Sequence, residues 1–258
     1  MSVFRSTRFD DNSTLAEIRD DPDTGTRKLQ RGSDPKAVAA VQNALYDLHW
    51  AQRFPQENHY PSRLRFVDGD FGPVTAASAL ALKTRYNIRF PPDDPRGVLD
   101  GFVGPRTLDR IDRQISHRDD MRVVIISKAG ALQDADAPVR LFDEGEEPPP
   151  LTPWLGTGPY LYWWTNWDDP TGTVTGLIVA GAADDVFEVH GPILQTWWQA
   201  QGAGGPFGPA TSDVEPDGSG GFRSTFVNGS ISVDPSATVT VTLGPVAYQP
   251  PGDDAVFA

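Results

Sequence analysis

A short phrase occurs twice in this chain, 32 residues apart, and it constrains how the first third is built. The first copy reads Asp68-Gly69-Asp70-Phe71-Gly72-Pro73-Val74-Thr75, the second Asp100-Gly101-Phe102-Val103-Gly104-Pro105-Arg106-Thr107. Asp-Gly is turn chemistry, because Gly accepts a positive φ and Asp bonds its own backbone nearby. Pro just inside a helix start costs nothing, since that N–H has no intrahelical partner. Each copy therefore predicts a turn that aims a helix. Asp68 and Asp100 hold the turns, Phe71 and Val103 plug the core, and Thr75 and Thr107 lie one turn into the helices.

The rest of the first part is read from periodicity. Residues 1–32 are polar with scattered apolar anchors (Phe4, Phe9, Leu15, Ile18), a poorly regular leader that packs on the helices after it. Asp34-Pro35 then precedes Val38, Val41, Leu45 and Leu48, one helical stripe with Asp34 as N-cap. A second helix is expected from Pro73 to about Tyr86, burying Val74, Ala77, Leu80 and Ala81. A third starts at Pro105 and buries Leu108, Ile111 and Ile115. Between the first two lies a long aromatic and basic loop, 50–67.

Charge marks a boundary. Residues 1–120 hold 18 Lys and Arg against 18 Asp and Glu; 121–258 hold 4 against 17, which is the whole net charge of −13. After Arg140 the only basic residue is Arg223. Nucleic acid is a poor partner for such a chain, because phosphate binding needs a basic face. A basic protein partner suits the acidic half better.

The second part reads as β. Val123-Val124-Ile125-Ile126 and Val139-Arg140-Leu141-Phe142 are short strand candidates, and an acidic, proline-ended linker runs to Pro150. Beyond it, 160–164, 174–179, 187–189, 231–233 and 238–242 alternate with turn residues as small β units do. One helical stretch, 192–201, carries Trp197-Trp198, and six of the seven tryptophans lie after residue 150. The expected fold is multidomain α + β. It comprises a helical domain over 1–120, a strand-containing linker over 121–150 and a Trp-rich acidic β domain over 151–258.

Gly32-Ser33-Asp34-Pro35, the Val38-Ala39-Ala40-Val41-Gln42-Asn43-Ala44-Leu45 helix and the two Asp-Gly phrases together resemble the bacterial three-helix peptidoglycan-binding domain, over about residues 32–113. The insertion at 51–66 is longer than that family's usual connection. The resemblance implies a wall-polymer ligand, and Trp50, Arg63, Arg85 and Tyr86 are its candidate binding residues. An Arg beside a flat aromatic suits the carboxylates and amides of a peptide stem, and glycan faces stack on aromatic rings. Val189-His190-Gly191-Pro192-Ile193, Trp197-Trp198, the run Gly205 to Asp213 and Phe226 to Ile231 resemble one LGFP repeat, over roughly 186–233. Such repeats are associated with actinobacterial cell walls, and Trp163 and Trp197 are the sugar-stacking candidates. In that reading Trp198 points inward and Trp197 outward.

Catalysis is not expected. The chain has no cysteine, hence no thiolate nucleophile or thiolate metal site. Its histidines (His49, His59, His117, His190) lack metal-binding spacing, and Gly218-Ser219-Gly220 has no nucleophile elbow before it. No cofactor or metal is implied. A carboxylate pair for glycoside hydrolysis is the one enzymatic alternative the sequence leaves open. The expected function is non-catalytic peptidoglycan binding or anchoring. The alternative is a component or cargo of a phage-tail-like contractile injection system, whose peptidoglycan-binding proteins have leaders similar to Arg8-Phe9-Asp10 through Gly32. No signal peptide or membrane-spanning segment is read. The expectation is a protein made soluble in the cytoplasm, not inserted into membrane, and acting at the envelope or outside by a non-Sec route.

Overall fold

The computed structural model describes residues 4–22, 24–48, 50–52, 62–91, 96–134, 152–153, 161–165, 176–180 and 185–245. For 133–134, 152–153, 161–165 and 180 it describes the backbone alone. The chain is mixed α + β, with helices in its N-terminal half and antiparallel sheets in its C-terminal part. Two units divide between His117 and Arg118. Among the described residues no helix is long and apolar enough to cross a membrane.

The helices are α1 (Ser13–Arg19), α2 (Pro35–Asp47), α3 (Arg63–Phe66), α4 (Pro73–Arg85) and α5 (Pro105–Asp134). The leader is more regular than its composition suggests. Asn12 caps α1 by accepting the Leu15 N–H at 3.0 Å, and Phe4, Phe9, Leu15 and Ile18 all enter the core. Asp112 on α5 ties the leader down, accepting the Arg5 and Ser6 N–H groups at 2.8 and 2.9 Å. Burial pushes the Asp112 carboxyl up, against the pull of those two donors.

Helix α2 begins as its sequence predicts: Pro35 is its first residue, and the Asp34 carboxylate accepts from Lys36 and Ala37. Its stripe, Ala37, Val38, Val41, Ala44 and Leu45, is wholly buried. Helix α4 begins at Pro73 as expected but is rotated from the expected phase. Ala77 and Leu80 are exposed, Val74 and Ala81 are half-buried, and Thr75, Ser78, Ala79, Leu82 and Lys83 face inward. The polar members of that face each have a partner. Ser78 Oγ donates to the Val74 carbonyl and accepts the Gln52 N–H, at 2.8 and 2.9 Å. Burial of a polar group is inexpensive when its hydrogen bonds are kept.

Leu108, Ile111 and Ile115 on α5 are fully buried, as the spacing predicts. The strand expected at 123–126 is instead the continuation of α5 to Asp134. Met121, Ile125 and Ala129 recur at helical spacing and are buried, while Val123, Val124 and Ile126 are exposed. The local β-branched run masks that longer period. The strand candidate at 139–142 and most of the linker lie outside the described residues.

The second unit contains two four-stranded antiparallel sheets. One has the order β1 (Thr152–Pro153), β2 (Leu161–Thr165), β3 (Gly176–Ala180), β4 (Val186–His190). The helix α6 (Gly191–Gln199) comes next, and then the second sheet. That sheet is β5 (Glu215–Pro216), β6 (Phe222–Phe226), β7 (Gly229–Val233) and β8 (Val239–Leu243), also in sequence order. Helix α6 packs on β3, β4 and β7, so Ile193, Leu194 and Trp197 share one core with Leu177, Val189, Phe226 and Ile231.

Candidate functional site

The two Asp-Gly turns are each tied to the preceding long helix by one polar side chain. Gln42 on α2 donates from Nε2 to Asp68 Oδ1 at 2.8 Å and to Thr75 Oγ1 at 2.9 Å, and its Oε1 accepts the Gly69 N–H at 2.9 Å. Lys83 on α4 does the same work in the second copy. Its ammonium lies 2.5 Å from Asp100 Oδ1 and 3.4 Å from the Phe102 carbonyl. Asp68 and Asp100 also accept the N–H two residues on, at 2.9 and 3.1 Å. The repeat is therefore a helix plus the turn it anchors, which the phrase alone did not show.

The two glycines differ in why they are needed. Gly69 has a φ of +75°, as the turn reading predicts. Gly101 has no positive φ; a Cβ there would stand 2.8 Å from the Ala76 carbonyl oxygen of α4. Close backbone approach, not left-handed conformation, demands the second glycine. Phe71, Val103, Thr75 and Thr107 are buried. Gly72 precedes α4, and the Gly104 carbonyl accepts the Leu108 N–H at the start of α5.

Of the four candidate binding residues in this unit, Trp50 and Tyr86 come together. Their rings meet edge to face, with centroids 6.0 Å apart and an interplanar angle of 69°. Both are half-buried. Exposed Arg85 immediately precedes Tyr86 at the end of α4. Sequence reading missed the residues that fix the Tyr86 ring. The Arg110 guanidinium lies over it, 4.3 Å from the centroid, and Gln114 Nε2 donates to the Tyr86 hydroxyl. Arg110 and Gln114 are one turn apart on α5, a spacing that could have exposed them as a pair. Two half-buried rings beside guanidinium groups form a surface suited to an amphipathic, carboxylate-bearing ligand.

Arg63 is engaged elsewhere. It pairs with Asp47 on α2, donates to Asn43 Oδ1 at 3.2 Å and lies 5.0 Å from the Tyr46 ring centroid. Arg8 shares the same Asp47 carboxylate at 2.5 Å. These contacts fasten the leader and α3 to α2. Residues 53–61 of the insertion lie outside the described residues.

In the second unit the expected orientation of the paired tryptophans is reversed. Trp197 is fully buried, stacked on Phe226 at 5.6 Å with its indole N–H donated to the Gly208 carbonyl at 3.0 Å; Trp198 is 40% exposed. Trp197 is three and four residues from Leu194 and Ile193, so all three occupy one face of α6. It is a core residue and offers no stacking surface. The backbone of Trp163 pairs with Ile178 in the first sheet, and its side chain lies outside the described residues, as does all of Tyr160.

The segment resembling an LGFP repeat folds as one strand–helix–hairpin unit. Phe207 is buried against Phe226, and Asn228 donates to the Pro206 carbonyl at 3.0 Å. Asp213 accepts the Glu188 N–H at 2.8 Å and pairs with Lys128 at 2.5 Å. Asp217 and Asp234 each close a turn in this sheet. Hydrogen bonds from Ser219 hold the Asp217 carboxyl below the usual range, and those from Ser236 and Thr238 do so for Asp234. Among the described residues no three His, Asp or Glu side chains converge as a metal site. No protein-family model matches the chain, and no curated protein is significantly similar to it.

Proposed function

We propose that the first unit binds peptidoglycan without cleaving it, through the surface around Trp50, Arg85 and Tyr86. The observation that carries this reading is the Trp50–Tyr86 pair with Arg110 over its ring. A glycan strand bears flat C–H faces that stack on aromatic rings, and its peptide stems bear carboxylates that guanidinium groups receive in a planar fork. The anchored turns give that surface a rigid base, which lowers the ordering cost of binding. The second unit serves as a further attachment module, and its acidic sequence favours a basic protein partner whose docking weakens as salt rises.

Soluble muropeptides titrated into the intact, isotope-labelled chain test the assignment. Saturable shifts centred on the Trp50 indole and on Arg85 and Tyr86 support it. Shifts confined to residues after 150 would move the wall-binding role to the other unit.

A further inference from the structure

A concave feature of the first unit is separate from the aromatic pair, neither ring of which lines it. A cavity of about 60 Å³ is lined by five cationic side chains, Arg27, Lys28, Lys83, Arg89 and Arg106, and by one acid, Asp100. That acid is already occupied by Lys83. Arg27 makes a looser contact, 3.5 Å from the exposed Glu17.

The other three cations have no carboxylate partner among the described residues. Lys28 sits 4.3 Å from the centroid of the Phe102 ring. Arg89 donates to Asn87 Oδ1 at 2.7 Å and to the Gly97 carbonyl at 2.9 Å, and Arg106 reaches the Arg89 carbonyl at 3.4 Å. Neutral acceptors orient these guanidinium groups and leave their charge uncompensated. Like charges gathered in one cleft raise the local concentration of an anion.

We propose that this pocket binds a carboxylate, the C-terminal carboxylate of a short peptide with a small side chain. Its volume is several times the roughly 10–15 Å³ that a single water needs on the same measure, which leaves room for a carboxylate. Two guanidinium groups supply the planar fork that a carboxylate matches. Ile88, Phe90 and Phe102 give a methyl-sized side chain an apolar wall. A phosphate dianion has no use for that wall and would meet the Asp100 carboxylate at greater cost. The inference rests on the wall-binding reading only for the source of the peptide.

The test uses the intact chain and three probes: N-acetyl-alanyl-alanine with a free C-terminus, its C-terminal amide, and inorganic phosphate. Amide resonances of Lys28, Arg89, Arg106 and Thr107 are tracked by NMR. The free acid should give saturable shifts that the amide fails to give, and Arg89→Gln with Arg106→Gln should weaken binding at least tenfold. Arg89→Lys, which keeps the charge and removes the fork, should weaken it less than the double change and serves if that variant misfolds. Equal binding of acid and amide, tighter binding of phosphate, or indifference to both substitutions overturns the proposal. The two readings fail separately. Dipeptide binding without sacculus binding retains the pocket and removes the wall function; sacculus binding without dipeptide binding does the reverse.

Discussion

The side-chain amide of Gln42 contacts both residues of the first Asp-Gly turn, giving a hydrogen bond to Asp68 and taking one from the Gly69 N–H, at 2.8 and 2.9 Å. Lys83 repeats the arrangement at Asp100 with a charge in place of the amide. Both anchors are almost wholly buried, so removing either leaves its partner turn without its main donor. Gln42→Ala and Lys83→Ala should each cost about 1–3 kcal/mol. Urea unfolding monitored by the indole of Trp50, the sole tryptophan of the first unit, with the others replaced by Phe where tolerated, measures this. Hydrogen exchange in α2 and α4 checks it without those replacements.

Gly101 and Gly130 predict opposite responses to the same change. A methyl group at Gly101 would collide with the Ala76 backbone, whereas one at Gly130 within α5 meets nothing within 4 Å beyond its own stretch of helix backbone. Gly101→Ala should destabilise by about 1–3 kcal/mol. Gly130→Ala should stabilise by about 0.5–1 kcal/mol, the helix-interior preference for Ala. Thermal melts of the two variants should move in opposite directions.

Trp197 and Trp198 are adjacent but unequal. Trp197→Ala removes a fully buried ring and its hydrogen bond to Gly208, and should cost about 3–5 kcal/mol. Trp198→Ala removes a side chain that is 40% exposed and should cost clearly less than the Trp197 change. Calorimetry of the second unit's transition distinguishes them.

Acid should loosen the second sheet through its turns. The carboxyls of Asp217 and Asp234 are held below the ordinary range, so the unfolded chain takes up protons more readily there. Their contribution is present above the unfolded pKa and is lost as pH falls through the folded value. Asp112 runs the other way: its raised carboxyl favours the folded state as pH falls from the folded pKa toward the unfolded one. In a carboxyl NMR titration, Asp217 and Asp234 should titrate below a free aspartate and Asp112 above it.

Much of this was legible in the sequence wherever local chemistry and periodicity agreed. The starts of α2, α4 and α5 are set by Asp34-Pro35, Gly72-Pro73 and Gly104-Pro105, and most described strands lie where alternation put them. Legibility failed where a buried position is polar. Thr75, Ser78 and Lys83 were not among the residues expected to be buried on α4, yet each is buried and reaches a partner distant in sequence, and the phase of α4 turned with them. It also failed where a short signal overrode a longer one, as at Val123–Ile126 within α5. Trp50 and Tyr86 were named from the sequence and their rings adjoin, but Arg110 was not named, because its ring contact with Tyr86 crosses between helices.

The most direct measurement is sedimentation of the intact chain with purified sacculi stripped of covalently attached polymers. The account predicts saturable pelleting that Trp50→Ala and Arg85→Ala each weaken about tenfold while the fold, checked by circular dichroism, is unchanged. Absence of pelleting, or pelleting that neither substitution alters, would contradict it.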